Sequence, residues 1–400
     1  MILGRSRLLS VLASFVFIVV LFVFFSYNSE PIGPLSAKRH GTRKSLLDDV
    51  ANSTLGFGKI YTINLPSRTD RRDAMTLMAA VTGLELEFIR GRTGDEVSEK
   101  ALTPPATHSA QLSGNVGSWR SHLDALSAVI ENNLESALII EDDIDWDLNI
   151  TQQMIDFAAT TRALTQPLHF SPSSYADPSF ENPMEYEGQP PDLDFDNLPR
   201  TVTPKRSPYG DNWDVLWLGH CGTVAPNVEL SDETLRSQSQ ALPRGRVLHY
   251  NDQTVPARHH LAVFEQEFDP RQVFPEHTRV THHTLDLFCT FAYAVSQRGA
   301  RRILYEAGIR KFDKPFDLML REICVGVNER PRTATCLTVD PGLFHTFRGF
   351  KKSALSDIME AQGDEMERAF SPNIRYSVRL NLPNLLSEMT PVYDQYPDKE

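Results

Sequence analysis

The sequence predicts an α/β domain built on a mostly parallel sheet, and three features carry that expectation. Short apolar runs such as Ala137-Leu138-Ile139-Ile140 and Val215-Leu216-Trp217-Leu218 are continuous rather than alternating, as in strands covered on both faces. Between such runs lie segments with apolar residues three and four apart, which is the spacing of amphipathic helices. The two patterns follow one another along the chain, giving strand–helix–strand units with right-handed crossovers.

Residues 1–7 form a short tail before an apolar run, Leu8 to Tyr27, that holds no charged residue. About twenty residues at helical rise span about 30 Å, the thickness of a bilayer core. The run ends in Phe24-Phe25-Ser26-Tyr27-Asn28, a poor cleavage site, so a transmembrane signal-anchor is favoured over a removed leader. Arg5 and Arg7 favour a cytoplasmic N-terminus, against Lys38, Arg39, Arg43 and Lys44 on the other flank. Residues 28–58 mix Pro, Gly, Ser and charge without periodicity and read as a stalk. The globular domain is expected over 59–358, with 359–400 as a C-terminal tail.

Within the domain, Ile60 to Leu65 is rich in β-formers and stops at Pro66-Ser67. Ala74, Leu77, Met78 and Val81 mark a helix closed by Gly83, and Leu86 to Ile89 suggests the next strand. Trp119, Leu123, Leu126, Val129, Ile130 and Leu134 line one face of a helix over 117–135, which leads into the strand Ala137 to Ile140. Between 166 and 208 the pattern collapses. Nine of the 26 prolines fall there, which reads as a surface insertion, partly disordered. Strands resume at Trp213 to Gly219 and Phe291 to Val295, a helix runs from Gln297 to about Ala307, and Cys336 to Val339 is the last core strand.

The formal charge is -12, from 52 acidic against 40 basic residues. Without a dense basic stripe, nucleic acid is excluded as a partner. The sequons at Asn52 and Asn149 are compatible with a lumenal domain. The four cysteines Cys221, Cys289, Cys324 and Cys336 allow three full pairings, or buried free thiols, and a Cys324–Cys336 bridge would close a short loop. His259-His260 and His282-His283 make poor chelates, because neighbours in a strand face opposite ways.

Three constellations carry chemistry. Glu141, Asp142, Asp143 and Asp145 follow the strand Ala137 to Ile140 at once. Ligands of open α/β sheets bind beyond the carboxyl ends of strands. Four carboxylates so close repel one another, and a divalent cation with a taste for oxygen, magnesium or manganese, relieves that repulsion. Glu141, Asp142 and Asp143 are the candidate metal ligands, with Asp145 and Asp147 behind them; the competing reading is a solvated acidic loop. The second constellation is Asn64-Leu65-Pro66-Ser67-Arg68-Thr69-Asp70-Arg71-Arg72. Here Asn64, Arg68 and Arg72 are assigned to phosphate or nucleoside contacts, against a surface Arg cluster paired with Asp70 and Asp73. The third, Gly117-Ser118-Trp119-Arg120-Ser121-His122, opens a helix and offers Ser121 and His122 to a bound ligand, against a role for His122 in the core.

Taken in order, these pieces resemble glycosyltransferase family 25, which includes bacterial lipopolysaccharide and collagen galactosyltransferases. The matching segments are Ile63-Asn64-Leu65 with Arg71-Arg72, Gly117 to His122, Leu138 to Asp143, Asp214 to Gly222, and Thr290 to Ser296 with Gly299-Ala300. The likeness spans about 59–358 except the Pro-rich insertion. Bacterial members carry a Cys where Ser118 stands here, so no thiol acts at that position.

The resemblance implies a GT-A-type Rossmann-like domain, a UDP-sugar donor, manganese or magnesium held by Glu141, Asp142 and Asp143, and transfer with inversion. Its pattern places the base at Asp317, with Asp313 and Asp286 as rivals and a helix-capping role as the alternative. His345 is a further candidate at the metal. The expected protein is a single-pass type II membrane enzyme of the Golgi or ER, its catalytic domain lumenal. It would move a hexose, galactose by family habit, to a glycan or glycoprotein acceptor. The competing classes are a non-catalytic descendant that binds glycans or partners, and a phosphate-ester hydrolase.

Overall fold

The computed structural model describes residues 49–399 apart from 227–229, 264–268, 331, 333, 350–367 and 388–390. The expected tail and anchor over 1–27, and most of the expected stalk, lie outside the described residues. Among the described residues no helix is long and apolar enough to cross a membrane.

A nine-stranded sheet runs through the domain. In its first half β1 (Lys59–Asn64) pairs in parallel with β2 (Leu86–Arg90) on one side and β3 (Ser136–Glu141) on the other. Two short strands follow in sequence, β4 (Ile144–Trp146) outside this sheet and β5 (Leu193–Asp194) at its far edge. The centre is formed by β6 (Val215–Gly219), while β7 (Gly222–Val224) leaves the sheet. Two strands of the far half, β8 (Arg246–His249) and β9 (Arg279–His283), come next. Then β10 (Asp286–Phe288) pairs with β7, and β11 (Ala292–Ser296) inserts antiparallel between β3 and β6. Last come β12 (Cys336–Asp340), parallel to β6, and β13 (Phe344–Thr346), which pairs with β4. The sheet order is β2-β1-β3-β11-β6-β12-β9-β8-β5. The expected α/β class holds, with parallel pairing at β2-β1-β3 and β6-β12. The far half adds β8 and β9, whose polar and His-rich segments carry no strand period.

The continuous apolar runs have the cause expected of them. In β3, Leu138 and Ile140 join one core layer while Ala137 and Ile139 join the other. Leu216 and Leu218 of β6 likewise oppose Val215 and Trp217. The helix Ser113–Glu131 covers the second face through Trp119, Leu123, Leu126 and Val129. The helices Thr69–Thr82 and Ile150–Thr165 cover the first, through Met75, Met78, Met154 and Phe157. The first of these ends at Gly83, whose φ of 70° is open to glycine at little cost while its N–H bonds to Ala79 O.

Three boundaries move. Val50, Leu55 and Phe57 are buried in the first core layer, so residues 49–58 belong to the domain rather than to a stalk. The insertion 166–208 is ordered: buried Asp177 accepts hydrogen bonds from Ser179 and Gly245, and β5 extends the sheet. The segment after residue 368 is no tail. Ser371 and Ser377 donate to Asp145, Tyr376 N–H donates to Asp147, and Val378 joins the core ahead of the helix Val378–Leu386. Few apolar residues mark these segments, because buried polar contacts hold them.

Cysteines pair as Cys221–Cys289 and Cys324–Cys336, the latter closing the short loop foreseen. Asp252 is held by the Arg279 guanidinium, with Arg279 Nε 2.6 Å from its Oδ2. Despite burial, that partner and the Thr254 hydroxyl keep the Asp252 carboxyl down at about 2. A carboxyl lowered on folding stabilises above its unfolded pKa and loses that contribution as pH falls through the folded value. Asp252→Asn should therefore cost about 2 kcal/mol at neutral pH. It should also flatten the acid limb of stability between about pH 4 and 2, read from urea unfolding at stepped pH.

Candidate functional site

The register brings the sequence-separated pieces to one edge. Ile63 of β1 pairs with Glu141 of β3, and Ala292 of β11 with Ile140 and Gly219. Asn64, Glu141 to Asp143, Thr290 and His220 therefore share the edge formed by the carboxyl ends of β1, β3 and β6. The antiparallel β11 contributes its amino end there.

At the acidic turn the three candidate ligands separate. Asp142 accepts a 2.7 Å hydrogen bond from Asn64 Nδ2 on one oxygen and a 2.8 Å contact from Arg71 Nη1 on the other. With both oxygens engaged, Asp142 is a poor metal ligand and acts as the tie between β1, the helix Thr69–Thr82 and β3. Asp143 lies 3.2 Å from Arg71 through Oδ2, while its Oδ1 is buried without a hydrogen-bond partner. Glu141 accepts from Thr290 Oγ1 at 3.2 Å. Burial pushes the Glu141 carboxyl up to about 8, helped by Asp142 and Asp317 nearby. Burial likewise raises Asp143 to about 7, opposed by Arg71. Among the described residues no three His, Cys, Asp or Glu side chains converge as a complete ligand set. Glu141 and Asp143 are the two that remain.

Asp145 and Asp147 are engaged by the C-terminal segment. Asp145 is fully buried and accepts from Ser371, Ser377 and the N–H groups of Trp146 and Arg379. Asp147 accepts from Asn149 and Tyr376. Both fasten the C-terminal segment. His345 pairs in register with Asp145, and its Nδ1 accepts the Thr346 N–H at 2.9 Å. Burial holds His345 down at about 3; its ring packs 5.1 Å from that of Phe291, and Phe347, two residues on, donates its N–H to Asp143 O.

The donor-contact assignments divide as well. Arg68 occupies the N-cap position without a capping side-chain bond and pairs with Asp70 at 2.9 Å, as the surface-cluster alternative has it. Arg72 stacks on the Phe88 ring, 4.1 Å from its centroid, and not on the acidic turn. Successive helical residues point about 100° apart, so only one of Arg71 and Arg72 can face the strand end, and it is Arg71. Ser121 is spoken for: its Oγ donates to Gly117 O at 2.7 Å and accepts Arg92 N–H at 2.8 Å. A side chain at Gly117 would meet Arg92 O at 2.4 Å, so the Gly-x-x-x-Ser spacing serves this backbone crossing.

His122 is in the site, behind Glu141. Its ring stacks on Phe316 at 4.4 Å, Nδ1 lies 3.0 Å from the Tyr293 hydroxyl, and Nε2 lies 3.8 Å from Glu141 Oε1. Burial lowers His122 to about 3, so the ring is neutral; its Nε2 lies 3.4 Å from Thr290 Oγ1, which in turn donates to Glu141. Asp317, in the first turn of the helix Phe316–Val325, accepts Cys289 N–H at 3.0 Å and Leu318 N–H at 2.9 Å. Its charge acts on both His122 and Glu141. The rivals are committed elsewhere, Asp313 to Arg330 at 2.8 Å and Asp286 to Arg321. Arg71 and Thr290 are the residues without a prior role. Thr290 stands two residues before β11, and Phe291 between them accepts the Glu141 N–H through its carbonyl, which brings the Thr290 hydroxyl beside Glu141.

Fold and site together define an α/β domain with paired carboxylates at the switch between parallel and antiparallel strands. Residues 57–182 match the family described as glycosyltransferase family 25 (LPS biosynthesis protein). A glycosyltransferase 25 family member of Anopheles gambiae is 28% identical over 133 residues, 30% of this chain and 22% of the relative. Procollagen galactosyltransferase 2 of Mus musculus is 26% identical over 112 residues, 25% of this chain and 18% of the relative. The chain thus spans about a fifth of the length of the curated relatives it matches. Residues 57–182, which hold β1, the Arg71 helix and the acidic turn, are the part of the chain that is similar to this family.

The exchange of roles between the two arginines is measurable. Arg71→Gln leaves Asp142 and Asp143 unpaired and should cost about 3 kcal/mol in urea unfolding. Arg72→Gln, which removes only the stack on Phe88, should cost less than about 1 kcal/mol.

Proposed function

We propose that the domain is a metal-dependent, inverting glycosyltransferase that moves a hexose, galactose first, from a UDP-sugar to a glycan or glycoprotein hydroxyl. The observation that carries the reading is the pair Glu141 and Asp143 at the carboxyl end of β3, with Asp142 neutralised beside them by Arg71. The name of the mouse relative, a procollagen galactosyltransferase, supports galactose and a glycoprotein acceptor.

The two carboxylates fit a magnesium or manganese ion in one respect. Asp143 Oδ1 is a buried oxygen without a partner, and such cations are commonly held by one or two carboxylates with phosphate and water completing the shell. When bound, the ion would offset the negative charge that develops on the departing diphosphate. The chain's own residues do the rest. Asn64 and Arg71 hold Asp142 so that the turn keeps its shape, and His122 with Thr290 fixes the Glu141 carboxyl. Asp317 takes the acceptor hydroxyl's proton while that oxygen bonds to the anomeric carbon and the bond to the diphosphate breaks, its electrons leaving with UDP. Two disulfides and the charge-free run Leu8 to Tyr27 support a membrane-anchored enzyme facing the oxidising lumen of the ER or Golgi.

Incubating the chain with a panel of UDP-sugars, acceptors and manganese, and measuring UDP release, tests this. Release should require the metal, fall about 100-fold or more in Asp143→Asn and by about 100-fold or more in Asp317→Asn. Saturable UDP-sugar binding without release for any acceptor would instead favour a glycan-binding descendant of the fold.

A further inference from the structure

We propose that the cleft lined by Arg206, Arg298, Arg301 and Arg302 is a second ligand site, which binds a phosphate-type oxyanion on a small ligand. The cleft has a volume of about 370 Å³ and is also lined by Ser207, Trp213 and Ser296. That size matches the lower range of small-molecule sites. It opens where β3 and β6 begin and β11 ends, beside Glu135, Trp213 and Ser296. The acidic turn stands at the other end of β3, about 20 Å away for a six-residue strand.

Two of the arginines are built in place. Arg298 Nε lies 2.6 Å from one oxygen of Asp214 and Arg302 Nη1 lies 2.8 Å from the other, with Asp214 fully buried beneath them. Fixing Asp214 accounts for one positive charge and leaves the second uncompensated at the cleft wall. Both side chains remain about 40% exposed; Arg298 also donates from Nη2 to Trp213 O, and the N–H groups left over on the two forks are donors for a ligand. Anchoring Asp214 does not explain the other two. Arg301 makes no ion pair or side-chain hydrogen bond among the described residues, yet it lines the same cleft. Arg206 reaches the Asp211 backbone carbonyl, while the Asp211 carboxylate accepts the N–H groups of Lys205 and Arg206. Exposed Glu135 is the remaining carboxylate of the lining.

Arginine forks presented on fixed geometry suit tetrahedral oxyanions, because several N–H groups meet several oxygens and little rotamer freedom is lost on binding. The hydroxyls of Ser207 and Ser296 stand beside them, although Ser296 Oγ already accepts the Gly299 N–H.

The test titrates inorganic phosphate into the detergent-solubilised full chain without added metal, by calorimetry, and compares Arg301→Ala and Arg206→Ala. Arg301 is exposed, so its removal leaves folding intact. Saturable binding that weakens about tenfold in each variant, with UDP release unchanged, is the expected result. Absence of saturable binding, or equal binding in all three proteins, overturns the proposal. A second arm offers the same group as glucose 6-phosphate and as vesicles containing phosphatidic acid. Tighter binding of the first assigns the cleft to a soluble ligand, and tighter binding of the second assigns it to a headgroup. Because the readout is phosphate binding, failure here leaves the transferase assay untouched.

Discussion

Arg71 makes the acidic turn possible. Three carboxylates in sequence at the end of a strand buried on both faces would leave uncompensated charge where water is scarce. One guanidinium, 2.8 Å from Asp142 and 3.2 Å from Asp143, supplies the counter-charge from a neighbouring helix. Asn64 completes the arrangement from the adjoining strand, so β1, the helix after it and β3 are fixed together by polar contacts at the point where a ligand would arrive. Glu141 and Asp143 are then left half-buried at the edge, their carboxyls pushed up to about 8 and about 7 by desolvation.

The acidic run divides its work by position. Up to Asp143 the side chains face the edge of the sheet; from Asp145 onward they turn inward and receive hydroxyl and amide donors from residues 371–379. A cluster that looks uniform in composition is thus a site followed by a clasp. His122 shows the same mixture. It is a buried, stacked ring, as the core alternative held, and it also touches the site through Glu141 and Thr290.

What could be read in the sequence was what local patterning encodes. The strands around Ile139, Leu216 and Ala294 and the helix through Trp119 follow from apolar spacing, and the acidic turn from its place after a buried strand. Arg71 was harder to single out than its neighbour, because which of two adjacent arginines faces inward depends on the phase of the helix against β3. Ser121 looked available only because its partner, Arg92, lies across a loop that no short-range pattern reveals. The segments 49–58 and 371–387 were not legible for one shared reason: they are held by long-range polar contacts and a few apolar anchors rather than by a periodic face. Without a period, composition alone suggested linkers.

The clasp has a consequence for how the protein is made. Asp145 is bridged to Ser371 and Ser377, 226 and 232 residues further along the chain. At ribosomal rates of about 5–20 residues per second, the partners emerge on the order of 10–45 s after the aspartate does. Until then Asp145 has only the neighbouring Trp146 N–H to meet it. The domain therefore completes its centre only when residues 371–379 arrive, and a chain stopped short of Arg379 leaves Asp145 without donors it has in the fold.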